Sequence, residues 1–132
     1  MMDYKIVDGV RYTQKHEWVR PEGETAKVGL SDYAQDKLGE IVFVELPEVG
    51  AVVEAGKSSA VIESVKAVAD LYAPIDGKVI EVNEELLDQP ELINSDPYGE
   101  GWVYKVEIKD GNQLEVLMDK KAYEVFVAEE EE

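Results

Sequence analysis

Lys66 stands alone in the stretch IESVKAVAD, residues 62–70. Val65 and Ala67 flank it, and the nearest charges, Glu63 and Asp70, are both acidic. No glycine, asparagine or proline marks a turn there. Two chemistries suit a single lysine in such a setting. A buried amine with a lowered pKa can form a Schiff base, but it needs a convergent acid or base, and the surrounding residues offer none. An exposed amine can instead carry a group. A free lysine titrates at about 10.4 and is a poor nucleophile at neutral pH, so an exposed one does little chemistry unaided. The plain alternative is a solvated lysine on a helix surface.

Other chemistries are poorly supplied. Cysteine is absent, which removes disulfides, thiolate nucleophiles and cysteine-ligated metals. The one histidine, His16, lies beside Glu17 and Trp18 and is expected to pack rather than catalyse. Trp18 and Trp102 are expected in the core or at its rim. No glycine-rich segment has phosphate-loop spacing. The net charge of −17 argues against nucleic acid and against an anionic membrane surface. It suits solubility, or docking onto basic patches of partner proteins. No apolar run is long enough to span a bilayer, and the first residues have no signal-peptide core, so a cytoplasmic protein is expected.

The length of 132 residues suits one domain, and 45% hydrophobic with 33% charged residues is a globular balance. The first segment reads as a hairpin, with strands near residues 10–20 and 25–30 separated by PEGE. Ser31 is an N-cap and Gly39 a stop, giving a short helix between them. Residues 40–64 read as three short strands broken by Pro47, Gly50 and Gly56. Another strand follows the turn at Asp76-Gly77, and WVYKVEI gives one more. The irregular stretch between them has room for a helical turn. Beyond Gly111, apolar residues recur at helical spacing and predict terminal helices over about 112–127, followed by an acidic solvated tail, 128–132. Mostly strands with frequent turns predict a mainly β fold, a small barrel or sandwich decorated by helices. VVEAGKSSAVIES and LYAPIDGKVIEVN echo each other on either side of Lys66, as a unit duplicated about that residue would.

Local pattern leaves the Lys66 stretch open. Ile62, Val65, Ala69 and Tyr72 share a helical face, and Pro74 would end that helix. A hairpin reversing at Val65-Lys66 would expose the lysine, although tight hairpins favour pairs such as Asn-Gly.

GEIVFVELPEVG, ESVKAVADLYAP, GKVIEVNEEL and DPYGEGW, with HEWV and VGLSDYAQDKLGE, occur in order from about Val10 to Val127. Together they resemble the H-protein family of the glycine cleavage system. The resemblance implies a lipoyl-domain-like flattened β-barrel or sandwich, its lipoyl-like core spanning about 25–108 within a single domain, 1–127. It implies a central hairpin whose tip bears lipoate on Lys66. A lipoate-attaching enzyme would read Glu63, three residues before the lysine, and Gly77, eleven after it; the plain readings are a solvated strand residue and a turn residue. Acylation would turn the lysine into a long arm ending in a dithiolane, giving two sulfurs to a chain without cysteine.

The resemblance also implies three visits. Glycine decarboxylase, a pyridoxal phosphate enzyme, loads an aminomethyl group. Aminomethyltransferase passes its carbon to tetrahydrofolate. Dihydrolipoyl dehydrogenase reoxidises the dithiol. The chain would be a carrier, not an enzyme. In the family the loaded arm folds into a surface cleft, and the matching residues here are Glu17 and Asp70. Two other roles keep Lys66: an H-like protein that relays lipoate to other proteins, and a lipoyl or biotinyl domain of another complex. Biotin carriers tend to flank their lysine with methionine, and this chain has valine and alanine there.

Overall fold

The computed structural model describes residues 4–131. Its elements are β1 (Arg11–Tyr12), β2 (Glu17–Glu22), β3 (Thr25–Leu30), α1 (Asp32–Leu38), β4 (Ile41–Glu45), β5 (Val52–Val53), β6 (Ser58–Ser64), β7 (Val68–Tyr72), β8 (Gly77–Val82), α2 (Glu85–Asp88), α3 (Leu92–Ser95), β9 (Tyr104–Ile108), α4 (Asn112–Glu115) and α5 (Lys120–Glu130). They form two antiparallel sheets: six strands in the order β1-β2-β3-β9-β8-β5, and three in the order β4-β6-β7. The mainly β sandwich predicted from the turn spacing is the fold observed.

The core lies between the sheets. Val19, Ala26, Val28, Val79 and Val106 come from the larger sheet and meet Ile41, Val44, Ala60, Ile62 and Leu71 from the smaller. Outside β4, where Ile41 and Val44 are three residues apart, these positions follow the strand alternation, so the period-2 pattern that makes the strands also makes the core. A second cluster, with Tyr12, Trp18, Tyr33, Tyr98, Tyr123 and Val127, seats α5. Gly29 is required there, because a Cβ would stand 2.6 Å from the Trp18 ring.

Two departures from the sequence reading matter. Residues 10–20 are not one strand. The chain reverses at Thr13–His16, where Thr13 N donates to Glu17 O and His16 N to Thr13 O, and His16 takes φ +71°. The residue types signal this only faintly: positive φ is uncommon outside glycine, although histidine adopts it several-fold more often than most residues. The acidic run beyond residue 127 is exposed but helical to Glu130. Asp119 caps α5, the Lys37 ammonium pairs with Glu131, and His16 Nε2 hydrogen-bonds Glu130, which together hold carboxylates at a helix C-terminus. Residues 1–3 of the expected domain and residue 132 of the expected tail lie outside the described residues.

Candidate functional site

The IESVKAVAD stretch is a hairpin. Strand β6 pairs with β7 through Val61↔Asp70, Ile62↔Ala69 and Glu63↔Val68, and β5 pairs with β8 through Val53↔Gly77. Both pairings are nested about Val65-Lys66, which puts the echoed segments on either side of one apex. Reciprocal bonds join them lower down, from Gly56 N to Ala73 O and from Ala73 N to Lys57 O.

Serine does at the apex what Asn-Gly usually does. Ser64 N donates to Ala67 O at 2.8 Å, while Ser64 Oγ accepts from Lys66 N at 3.3 Å and from Ala67 N at 3.0 Å. Side-chain bonds of this kind hold a turn that has no glycine. The apex is also moored. Val65 N donates to Glu40 O, and Asn94 fixes the same connection by donating to Gly39 O and accepting from Ile41 N. Gly39, at φ +87°, lies under the lysine stem: a Cβ there would be 3.5 Å from Lys66 Cε. Lys66 itself is exposed, and among the described residues no carboxylate is within ion-pairing distance of it. An exposed, unpaired amine is unsuited to Schiff-base chemistry and suited to acylation, because losing its charge sacrifices no ion pair.

Glu63 is half-buried on β6, between Phe43 of β4 and Val68 of β7. Gly77 is buried at the start of β8 and does not have the positive φ expected of a turn glycine. Its constraint is space: a Cβ would meet Glu107 O at 2.6 Å and Val106 Cβ at 3.1 Å.

Glu17 is only 2% exposed. Thr13 Oγ1 donates to its Oε1 at 2.5 Å, and Tyr72 N donates to its Oε2 at 3.0 Å. Burial raises its pKa from the ordinary 4.5, opposed by the hydrogen bonds from Thr13 and Tyr72 N and by the nearby Lys15. Glu17 lines a cleft of about 400 Å³ with Thr13, Lys15, Tyr72, Pro74 and Leu117. The Lys15 ammonium stands 5.5 Å from the centre of the Tyr72 ring. Asp70 does not line this cleft. It is exposed on β7, two residues before Tyr72 on the same strand face, and accepts from Ser58 Oγ at 2.8 Å. Val68, Asp70 and Tyr72 therefore form one outward track from the apex to the cleft. Sequence reading did not single out Thr13, Lys15 and Ser64; an ordinary threonine or serine beside a turn is the only signal they give.

His16 packs, as expected. Its Nδ1 meets Tyr123 Oη at 2.7 Å and its Nε2 meets Glu130 Oε1 at 2.5 Å. Burial lowers its pKa from 6.5, with Glu130 acting the other way. Trp18 is in the core and Trp102 at its edge. No helix among the described residues is long and apolar enough to cross a membrane, and no cluster of histidine and acidic side chains there could hold a metal ion.

A sandwich of nested hairpins with one exposed lysine at a moored apex has the build of a carrier domain, a rigid base for a group tethered to lysine. The family model for the glycine cleavage H-protein matches residues 10–130. A glycine cleavage system H protein of Pseudoalteromonas atlantica is 54% identical over 95% of this chain and 98% of its own length. One of Thermotoga maritima is 55% identical over 91% and 97%. A crystal structure of the glycine cleavage system H protein from Mycobacterium marinum superposes with a TM-score of 0.83 at 36% identity, covering 96% of this chain and all of that one. The chain belongs to the glycine cleavage H-protein family.

Proposed function

We propose that the chain is the lipoyl carrier of a glycine cleavage system and that lipoate is joined by an amide to Lys66. Family membership supports the carrier role. The observation that carries the attachment is the exposed Lys66 amine, free of any ion pair among the described residues, on a turn held by Ser64 and Glu40 O. When bound, lipoate supplies a reducible dithiolane that takes the aminomethyl group of glycine and gives it up again. The chain contributes a stiff apex and a track back to a cleft, and catalyses no step itself. Its partners in this reading are glycine decarboxylase, aminomethyltransferase and dihydrolipoyl dehydrogenase, with a lipoate-attaching enzyme before them, all in the cytoplasm. A strongly acidic surface favours encounters with basic faces of such enzymes. Peptide mass mapping after incubation with lipoate and its attaching enzyme tests the reading. A lipoyl mass on Lys66 supports it, and one on Lys57 or Lys78 with Lys66 bare overturns it.

Glu17 and Asp70 are the acids we assign to sheltering the loaded arm. A protonated amine sheltered from water needs oxygen acceptors, because an unpaired buried charge is costly. Each Glu17 oxygen accepts one hydrogen bond and has a second lone pair, and Asp70 stands on the track leading there. The double variant Glu17→Gln/Asp70→Asn should release ammonia from the isolated loaded carrier several-fold faster than the parent. Its lipoylation and its reoxidation by the dehydrogenase should be unchanged. Equal release rates would reduce both acids to structural and surface charge.

A further inference from the structure

Strand β4 breaks its own alternation. Ile41 pairs with Ser64, and Phe43 pairs with the very next residue of β6, Glu63, so Val42 is an extra residue in the strand. In a regular strand Phe43 would face inward with Ile41. The bulge turns it outward, as bulges do when they re-aim a side chain. Phe43 is 48% exposed, and across the sheet Glu63 pairs with Val68, which is 68% exposed. The row Phe43–Glu63–Val68 thus spans the whole three-stranded sheet, directly beneath the turn that carries Lys66.

Exposed valines, Val42 and Val65, extend this surface towards the apex. The charged residues of β4, β6 and β7 are Glu45, Glu63 and Asp70, all acidic. An apolar strip with a central carboxylate and an acidic border marks a surface for a partner with an apolar contact and a basic rim.

Reach decides which partner. An unmodified lysine has only a four-carbon stem. The enzyme that acylates it must bring its own reacting atoms to Nζ, so its surface must lie against the nearest neighbours of Lys66. Once the arm is attached, later enzymes meet its far end and need not cover this row. We infer that Phe43 and Val68, which flank the Glu63 already implied by the family resemblance, are the apolar docking contacts of the lipoate-attaching enzyme on this strip. The inference rests on Lys66 as the attachment point. In the step so aligned, deprotonated Nζ attacks the carbonyl carbon of an activated lipoyl anhydride or ester. The N–C bond forms, the leaving group departs with the bonding pair, and the nitrogen loses its extra proton to a base or to solvent.

The test uses the full chain, the purified attaching enzyme and saturating activated lipoate. Phe43→Thr and Val68→Thr keep a β-branched residue in each strand, and unchanged thermal midpoints check the fold. Each should lower kcat/KM for attachment roughly ten-fold, mainly through KM, as loss of a docking anchor does. Val52→Thr and Val116→Thr, at exposed valines elsewhere, should leave the rate unchanged. A second readout needs no turnover of the variant. Lys66→Arg carrier should compete with the parent for the enzyme, and adding Phe43→Thr to it should weaken that competition to a similar degree. Attachment and competition both within roughly two-fold of the parent would overturn the docking strip. A parent left bare at Lys66 would instead overturn the attachment reading on which it rests.

Discussion

Lys66→Arg should fold as the parent does and carry no lipoate at all. Arginine keeps the charge and most of the length of the stem over Gly39, and the turn is held by Ser64 and by main-chain groups, so stability should shift by no more than about 0.5 kcal/mol. The guanidinium stays protonated at any working pH and offers no free amine. Intact mass after incubation with the attaching enzyme should therefore equal the bare chain, and exchange of glycine carbon in the reconstituted system should fall to background. Lys57 is the most instructive rival, because it too is exposed at a turn, in its case after Gly56. It sits 3.6 Å from Glu54, however, and lies at the opposite end of β6 from the apex. A lipoyl mass on the Lys66→Arg chain would show that some other lysine is read.

Gly77→Ala should be the most damaging of the single substitutions considered for stability. The glycine is buried, paired to Val53 on one side and Ile108 on the other. The added methyl would stand 2.6 Å from a main-chain oxygen, that of Glu107, which cannot swing aside as a side chain could. Overpacking of this kind costs about 2 kcal/mol or more. For a chain of this size that lowers the thermal midpoint by roughly 6–10 °C. Attachment per folded molecule should be unchanged, since Gly77 has no side chain to present and is covered by its neighbours. A stable Gly77→Ala protein that is lipoylated slowly would reverse this and make Gly77 a recognition residue in its own right.

The parts of the fold that could be read from sequence are those with local causes. Ser31 and Gly39 bracket α1 because a serine hydroxyl and a positive-φ glycine satisfy helix ends within a few residues. Three strands over residues 40–64 follow from β-branched runs between breakers. The Lys66 stretch was ambiguous because Ile62, Val65 and Ala69 fit a helix as well as a hairpin. What selects the hairpin is distant: β4 beside β6, and Glu40 O holding Val65 N. The Val42 bulge is hidden for the same reason, since IVFVE alternates acceptably without it. The continuation of α5 through Glu129 and Glu130 runs against like-charge repulsion, and only His16 and Lys37, remote in sequence, make sense of it. Lys66, Glu63 and Gly77 came from resemblance. Thr13 and Lys15, which wall the cleft, came only from the fold.

The closure of the Thr13–His16 turn has a consequence for the order in which the molecule comes into being. Tyr12 exchanges main-chain bonds with Met118, and His16 is held by Tyr123 and Glu130, all more than a hundred residues further on. The hairpin around Lys66 is moored through Glu40 and Asn94, each within about thirty residues of the lysine, and contacts of shorter separation form earlier. On the ribosome, then, the lysine can reach its finished conformation while the turn that carries Thr13 and Lys15 still lacks Met118, Tyr123 and Glu130. The handle is made before the shelter. A nascent chain can present its lysine for acylation well before it can protect what that lysine will later hold.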